Sequence, residues 1–254
     1  MRYLLIPGNP PAAHFYKLWG QEISSIQPGA EVRVSPYPNL PHSINSPTEI
    51  SNQILASHTA NLLDFYKEQD APITLIGHSL GGYYALKILE ESSHMVEDAI
   101  LLHPFLRAPH WRGKALLKSV RTMHSSALLK SLILKSRKYL EVFSSELPNV
   151  TDEELFSTFL ICRMEDDTIS KDNQPVVIKP NLKDKLKVFY AKNDTWCSPA
   201  VISDLKSQVY TSQCSEPHGF ITDKTHRESL FYRIMSCGRI ENTNAPSDYE
   251  SPLG

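Results

Sequence analysis

The sequence has no long apolar run. None of its segments approaches the roughly eighteen apolar residues that a membrane-spanning helix needs. The first residues, 1–8, have the pattern of a strand entering a turn. They lack the apolar stretch and the small-residue cleavage site of a secretory signal peptide. We therefore expect a soluble intracellular protein.

The sequence also has few cysteines and a small net charge. The 4 cysteines include no Cys-x-x-Cys pair, and a chain of 254 residues is too large to need disulfide staples. We therefore expect reduced thiols. The formal net charge is −2, which argues against a protein that binds nucleic acid through an overall basic surface.

Short apolar strands alternate with helical patterns along much of the chain, which predicts an α/β fold with a mostly parallel sheet covered by helices on both faces. The predicted strands are 4–6, 31–34, 73–77, 99–102, 186–190 and 209–211. The predicted helices are 15–26, 46 to about 69, 80–91, 199–206 and 225–235. This pattern divides the chain into a core of residues 1–104 and 183–240, a helical cap inserted at 105–182, and a polar tail at 241–254 that we expect to be disordered.

A serine motif lies between a predicted strand and a predicted helix. Residues Gly77-His78-Ser79-Leu80-Gly81 match Gly-x-Ser-x-Gly, and strand–turn–helix is the context in which this motif presents a nucleophile. The tight turn requires glycine on both sides, because a side chain there would collide with neighbouring backbone. We therefore predict that Ser79 is a catalytic nucleophile.

A serine nucleophile needs a histidine base and an acid that orients it. His218 follows the last predicted strand and precedes the last helix, so its loop can reach the serine. Asp194 comes just after the preceding strand, at the sheet edge where parallel α/β proteins bind ligands. We predict His218 as the base and Asp194 as the acid. His78 is expected to point away from the serine hydroxyl and to pack.

The oxyanion of an acyl-transfer intermediate needs two backbone N–H donors. Leu80, directly after the nucleophile, is one predicted donor. The other should come from the loop after the first strand, where Gly8 and Asn9 retain an N–H but the following prolines do not. We prefer Asn9, which lies farther out toward the crevice.

These residues resemble the lipid droplet-associated hydrolase family. The similarity lies in the opening block Ile6-Pro7-Gly8-Asn9-Pro10, in the serine block 77–83, in the acid block 193–199 and in the histidine block 217–220. The order of the blocks is the same as in the family, and the match extends from Arg2 to about residue 235. The cap is not matched by motif.

The resemblance implies an α/β-hydrolase fold and a serine esterase or lipase-like enzyme associated with neutral lipid. The sequence departs from the family at Pro11 and Ala12, and at Gly219, where the family tends to have alanine.

The predicted cap divides into two halves of opposite charge. Residues 104–140 carry nine Lys and Arg and no Asp or Glu, interleaved with apolar residues, whereas 141–172 is strongly acidic. A basic helix with an apolar face fits an anionic lipid surface, and a cap at this place would form a lid over the crevice. The alternative is that the apolar face packs on the sheet and the lysines are merely solvated.

The sequence thus predicts hydrolysis of carboxylic esters, with lipid-like substrates, through an acyl-serine intermediate and without a metal or organic cofactor. We expect a cytoplasmic protein, peripheral at a lipid droplet or membrane surface, that binds a small ester or lipid and no nucleic acid. Two alternatives stay open. One is a thioesterase or acyltransferase that uses the same residues, and the other is a lipid-surface binding protein whose hydrolase scaffold is idle.

Overall fold

A computed structural model of the protein describes residues 1–9, 13–40, 46–109, 158, 160–171, 174–192 and 194–237. Most of the predicted cap (residues 110–157) and the predicted disordered tail (241–254) lie outside these ranges, so the expectations placed on them stay predictions. No helix in the described ranges is long and apolar enough to cross a membrane.

Strands and helices alternate in the described part of the chain. The strands are β1 (Arg2–Ile6), β2 (Glu31–Val34), β3 (Ile73–His78), β4 (Val96–Leu102), β5 (Leu186–Ala191) and β6 (Tyr210–Cys214). The α-helices are α1 (Ala13–Ile26), α2 (Pro47–Lys67), α3 (Leu80–Ser92), α4 (Pro199–Lys206) and α5 (Lys224–Cys237). Shorter helical turns lie at Glu165–Ile169, Pro180–Lys185 and Phe220–Thr222.

The six strands form one sheet in the order β2-β1-β3-β4-β5-β6, and every neighbouring pair is parallel. Strand β3 is therefore central, and its carboxyl end lies beside those of β1 and β4. The carboxyl ends of β5 and β6 are also neighbours, since Ala191 pairs with Cys214. Segments that follow β1, β3, β4, β5 and β6 consequently meet at one edge of the sheet.

Apolar side chains pack on both faces of this sheet. Helices α2, α3 and α4 cover one face, with buried residues such as Ile54, Leu89 and Val201. Helices α1 and α5 cover the other, with residues such as Trp19 and Phe231. The result is a three-layer α/β structure, as the apolar strand runs predicted.

The predicted elements differ from the structure at their ends, and the last strand extends farther toward its carboxyl end than predicted. It was predicted at 209–211 and lies at Tyr210–Cys214. The strand continues through polar residues because its bounds follow its ladder with β5, which local apolar content does not reveal. This extension brings the strand closer to His218 and shortens the loop that carries it.

Candidate active site

Ser79 lies at a sharp turn between β3 and α3. Its backbone has φ 53° and ψ −119°, a conformation that L-residues rarely adopt. A Cβ on Gly77 would overlap the backbone of Gly81, and a Cβ on Gly81 would overlap the carbonyl oxygen of Ile6. The two glycines of the motif are therefore required by close backbone approach, as the sequence predicted.

His218 and Asp194 both reach this turn. The Nε2 atom of His218 lies 3.0 Å from the Oγ atom of Ser79, and its Nδ1 atom lies 2.8 Å from Oδ2 of Asp194. Because the carboxylate only accepts, Nδ1 of a neutral His218 carries the proton and Nε2 faces the serine hydroxyl as an acceptor. The structure thus brings the three predicted residues into one hydrogen-bonded series, in which the histidine can take the serine proton.

Asp194 is held by backbone as well as by histidine. Its Oδ1 atom accepts the N–H groups of Trp196 at 2.8 Å and Cys197 at 3.1 Å. Burial alone would raise the pKa of this carboxyl, but the neighbouring rings of His103 and His218 and the Trp196 N–H lower it well below its usual value. Asp194 is therefore a fixed negative charge that orients His218 and would stabilise its charged form.

His103 is a member of this site that sequence reasoning missed. It follows β4, is fully buried, and has a positive φ of 48°. Its Nδ1 atom accepts the N–H of Ala191 at 3.2 Å and lies 3.4 Å from Oδ2 of Asp194. Burial lowers the pKa of His103 below its usual value, an effect that the Asp194 carboxylate opposes. Its place after a central strand was the signal that could have identified it.

The loop after β1 lies directly against Ser79. A Cβ on Gly8 would come within 2.9 Å of the Ser79 Cβ atom. The Gly8 N–H donates to the Tyr16 hydroxyl at 2.8 Å, so it is not available to an oxyanion. In the described part of the chain, the backbone N–H groups of Asn9 and Leu80 have no such partner. The assignment of Asn9 and Leu80 as oxyanion donors stays a prediction that this arrangement permits.

The Asn9 side chain is anchored to the far end of the predicted cap. Its Nδ2 group donates to Oε2 of Glu165 at 2.9 Å and lies 3.2 Å from Sγ of Cys162. Burial raises the pKa of Glu165 to about 7, although the Asn9 hydrogen bond partly opposes this shift. Glu165 lies in a strongly acidic stretch, and no local pattern distinguishes it from its neighbours as a residue buried against the β1 loop.

One side of His218 is open to a cleft. This cleft has a volume of about 540 Å³ and lies between the loops that follow β5 and β6. Its walls include Trp196, Gln213 and Pro217. Ser79 itself is only 6% exposed and is not among the residues that line this cleft.

The cysteine side chains and His226 take no part in the hydrogen bonds among Ser79, His218 and Asp194. None of the four cysteines forms a disulfide, and the backbone N–H of the buried Cys197 donates to Asp194. His226 lies on α5 near Asp223, on the surface. Within the described ranges, no group of three or more His, Cys, Asp or Glu side chains is arranged to hold a metal ion.

Comparison with solved structures identifies the architecture. The peroxisomal alpha-beta-hydrolase Lpx1 from Saccharomyces cerevisiae is 14% identical with a TM-score of 0.61, covering 100% of this chain and 80% of the yeast chain. A thermophilic esterase from Thermogutta terrifontis is 15% identical with a TM-score of 0.61, covering 96% and 91%. The enol-lactonase from Burkholderia xenovorans LB400 is 15% identical with a TM-score of 0.58, covering 92% and 90%. The protein has the α/β-hydrolase fold.

The amino-terminal part of the chain also matches a family model. The model described as lipid-droplet associated hydrolase matches residues 1–110, which include the β1 loop and the Ser79 turn. This match confirms the resemblance for the opening and serine blocks and supports a hydrolase, whereas the acid and histidine blocks lie outside the matched residues. No curated protein matches the chain at a significant level.

Proposed function

We propose that the protein is a serine hydrolase that cleaves carboxylic esters of lipid-like substrates through an acyl-serine intermediate. The observation that carries the proposal is the hydrogen-bonded series from Ser79 through His218 to Asp194, with distances of 3.0 and 2.8 Å. A buried serine at a strained turn, an oriented imidazole and a fixed carboxylate are the parts that nucleophilic acyl transfer requires.

In the first half of the reaction, Ser79 Oγ attacks the ester carbonyl carbon while Nε2 of His218 takes the hydroxyl proton. The carbonyl oxygen becomes an oxyanion that the N–H groups of Leu80 and Asn9 stabilise. The N-terminus of α3, where Leu80 lies, adds partial positive charge. The C–O bond to the alcohol then breaks, and the departing alkoxide receives the proton from His218.

In the second half, water attacks the acyl-serine. His218 takes a proton from the water as its oxygen bonds to the acyl carbon. The second tetrahedral intermediate collapses, the bond to Ser79 Oγ breaks, and His218 returns its proton to the serine. The cleft beside His218 gives water access to the ring without crossing the β1 loop.

The lipid-like substrate class is proposed from two features. The family model that matches residues 1–110 is that of lipid-droplet associated hydrolases. The segment 104–140 combines nine basic residues and no acidic ones with many apolar side chains, a composition that favours contact with an anionic lipid surface. We propose that residues 105–182 form a cap over the crevice, and that the protein acts in the cytoplasm at such a surface.

The test is hydrolysis of p-nitrophenyl esters of increasing acyl length by the wild type and by Ser79→Ala. We expect the variant to fold and to lose activity by a factor of about 10⁵ or more, since the nucleophile is removed. The matched control is Ser35→Ala. Ser35 is another buried serine bonded to a histidine, at 2.7 Å from His58, and its removal should leave turnover unchanged.

Undiminished turnover by Ser79→Ala would rule out the proposed nucleophile. If the wild type instead transfers acyl groups to an added alcohol in preference to water, the reaction is acyl transfer on the same residues. An absence of turnover with every ester and thioester would favour an idle scaffold. Preference for long acyl chains is the result expected for a lipid-like substrate.

A further inference from the structure

A buried series of hydrogen bonds connects the β1 loop to the backbone of His218, the proposed base. The Gly8 N–H donates to the hydroxyl oxygen of Tyr16 at 2.8 Å. That hydroxyl lies 2.6 Å from Nδ1 of His78. The Nε2 atom of His78 lies 2.9 Å from the carbonyl oxygen of His218. Three separate segments of the chain are thereby joined behind the reacting atoms.

The two ends of this series determine the direction of every hydrogen bond. A carbonyl oxygen only accepts, so Nε2 of His78 must carry the proton that it gives to His218. The Nδ1 atom of a neutral His78 is then an acceptor, and the Tyr16 hydroxyl must donate to it. The Tyr16 oxygen keeps a lone pair free to accept the Gly8 N–H. A single neutral tautomer thus satisfies all three bonds.

The surroundings keep both side chains neutral. Tyr16 and His78 are only 2% and 6% exposed. Burial lowers the pKa of His78 well below its usual value, and the nearby rings of His218 and His103 lower it further, against weaker effects of the His218 carbonyl and the Asp194 carboxylate. Burial likewise raises the pKa of Tyr16. Both side chains are therefore neutral at neutral pH, as the series of hydrogen bonds requires.

The position of the series connects it to the chemistry. At one end it holds Gly8, which packs against the Ser79 Cβ atom and whose engaged N–H leaves Asn9 to face the oxyanion. At the other end it holds the backbone of His218, the residue whose ring must meet both Ser79 and Asp194. The rings of His78 and His218 lie 5.2 Å apart. His78 has both nitrogens engaged, so it does not act on substrate directly.

We propose that Tyr16 and His78 are positioning residues that couple the oxyanion loop to the backbone of His218. The role rests on the proposed function, because it presupposes that His218 and the β1 loop act on an ester. The coupling predicts that loss of either side chain loosens the base and the oxyanion donor together. A misplacement of about 1 Å at such a distance from the chemistry can cost a factor of about 10² in rate.

The test compares two substitutions of His78 that distinguish the hydrogen bond made by Nε2 from the one made by Nδ1. The amide N–H₂ of His78→Gln can reach the His218 carbonyl in place of Nε2, whereas the shorter His78→Asn keeps an acceptor for Tyr16 but does not reach His218. Tyr16→Phe removes the central hydroxyl alone. Tyr3→Phe is the matched control, since Tyr3 is also buried and hydrogen-bonded, to Gln27, at the opposite end of β1.

We expect kcat to fall about 10- to 100-fold in His78→Asn and Tyr16→Phe, with KM changed less than about twofold. His78→Gln should recover most of the loss, and Tyr3→Phe should have wild-type kcat. Wild-type kcat in both His78→Asn and Tyr16→Phe would overturn the proposal. So would an equal loss in His78→Gln and His78→Asn, or a loss confined to KM or to thermal stability.

A second measurement does not depend on activity. In ¹⁵N-histidine NMR spectra of the wild type, the series predicts a His78 ring protonated at Nε2 alone, with no titration between about pH 5.5 and 8. Comparison with His78→Gln assigns the signals. A His78 protonated at Nδ1, or one that titrates in this range, would refute the series even if esters are hydrolysed. If the wild type hydrolyses no ester but His78 has the predicted tautomer, the proposed function fails while the series stands.

Discussion

Among the residues that the structure describes, two serine–histidine pairs are hydrogen-bonded, and their surroundings differ. Ser79 Oγ lies 3.0 Å from His218 Nε2, and Ser35 Oγ lies 2.7 Å from His58 Nδ1. By distance alone, the second pair is the better hydrogen bond. The contact between hydroxyl and imidazole therefore does not identify an active site.

The two histidines differ in what lies on the far side of the ring. Nδ1 of His218 meets the carboxylate of Asp194, which can stabilise a positive charge. Nε2 of His58 is buried and has no hydrogen-bond partner in the described part of the chain. Burial lowers the pKa of His58 to about 3, so this ring does not become protonated when a proton is offered at neutral pH.

The two serines differ in backbone and access. Ser79 occupies a turn with positive φ, and its hydrogen-bond partner His218 lines a cleft. Ser35 directly follows β2, is completely buried, and receives a further hydrogen bond from Asn61 at 3.1 Å. A strained backbone, a carboxylate partner for the histidine and an adjacent cleft together distinguish Ser79 from Ser35.

Asp194→Asn removes the carboxylate that distinguishes the Ser79–His218 pair from the Ser35–His58 pair. Of the substitutions that test this comparison, it has the largest expected effect on kcat. The amide oxygen can still accept the N–H groups of Trp196 and Cys197, so the fold should hold. The amide N–H₂ would then face His218 and place its ring proton on Nε2, toward Ser79. We expect kcat for ester hydrolysis to fall about 10⁴-fold.

The control for Asp194→Asn is Asp204→Asn, an aspartate on α4 that binds Arg107 away from the site. Its hydrolysis rate should match the wild type. A fall of less than about tenfold in Asp194→Asn would mean that the carboxylate does not distinguish the two pairs.

Glycine substitutions test the backbone part of the comparison. A Cβ on Gly81 would overlap backbone at the Ser79 turn, so we expect Gly81→Ala to lower the free energy of unfolding by about 3 kcal/mol. Gly219, next to His218, has open space around its Cβ position and φ −81°. Gly219→Ala should be neutral or stabilising by up to about 1 kcal/mol. Equal effects in urea unfolding would contradict the close packing of the turn.

The pH dependence of protein stability tests whether His58 is a buried, neutral ring. This prediction has the smallest expected effect. Its folded pKa, about 3, lies below the usual value, so the unfolded chain binds the proton first as pH falls. The contribution of His58 to the free energy of unfolding is fully present above about pH 6.5. It is lost progressively below that pH, by about 2 kcal/mol at pH 5.

His58→Gln should remove this part of the acid destabilisation, as measured by urea unfolding at pH 7 and pH 5. His78, whose pKa is also lowered by burial, would leave a residual slope in the variant. A variant with the full wild-type slope would show that His58 is not a buried neutral ring.

Much of the fold and the central part of the site could be predicted from sequence. Apolar strand runs predicted the parallel sheet, and the sheet explains why Ser79, Asp194 and His218 meet. They follow β3, β5 and β6, whose carboxyl ends share one edge. Local residue patterns were sufficient here because topology, and not side-chain detail, determines which loops are neighbours.

The supporting residues could not be predicted in the same way. His78 was expected only to pack, but its ring is hydrogen-bonded to both Tyr16 and the His218 backbone. Which way such a ring points depends on how α1 packs on the sheet, and no local pattern encodes that. The pairing of Ser35 with His58 likewise depends on how α2 docks beside β2. The burial of Glu165 against Asn9 also depends on how the end of the predicted cap packs on the β1 loop.

The most direct test of the account is labelling with a fluorophosphonate, which reacts with activated serines, followed by mass spectrometric mapping of the modified peptide. The account predicts stoichiometric modification of Ser79 and none of Ser35, with labelling lost in Ser79→Ala. An unlabelled Ser79 in the folded wild type, or labelling that persists in Ser79→Ala, would contradict it.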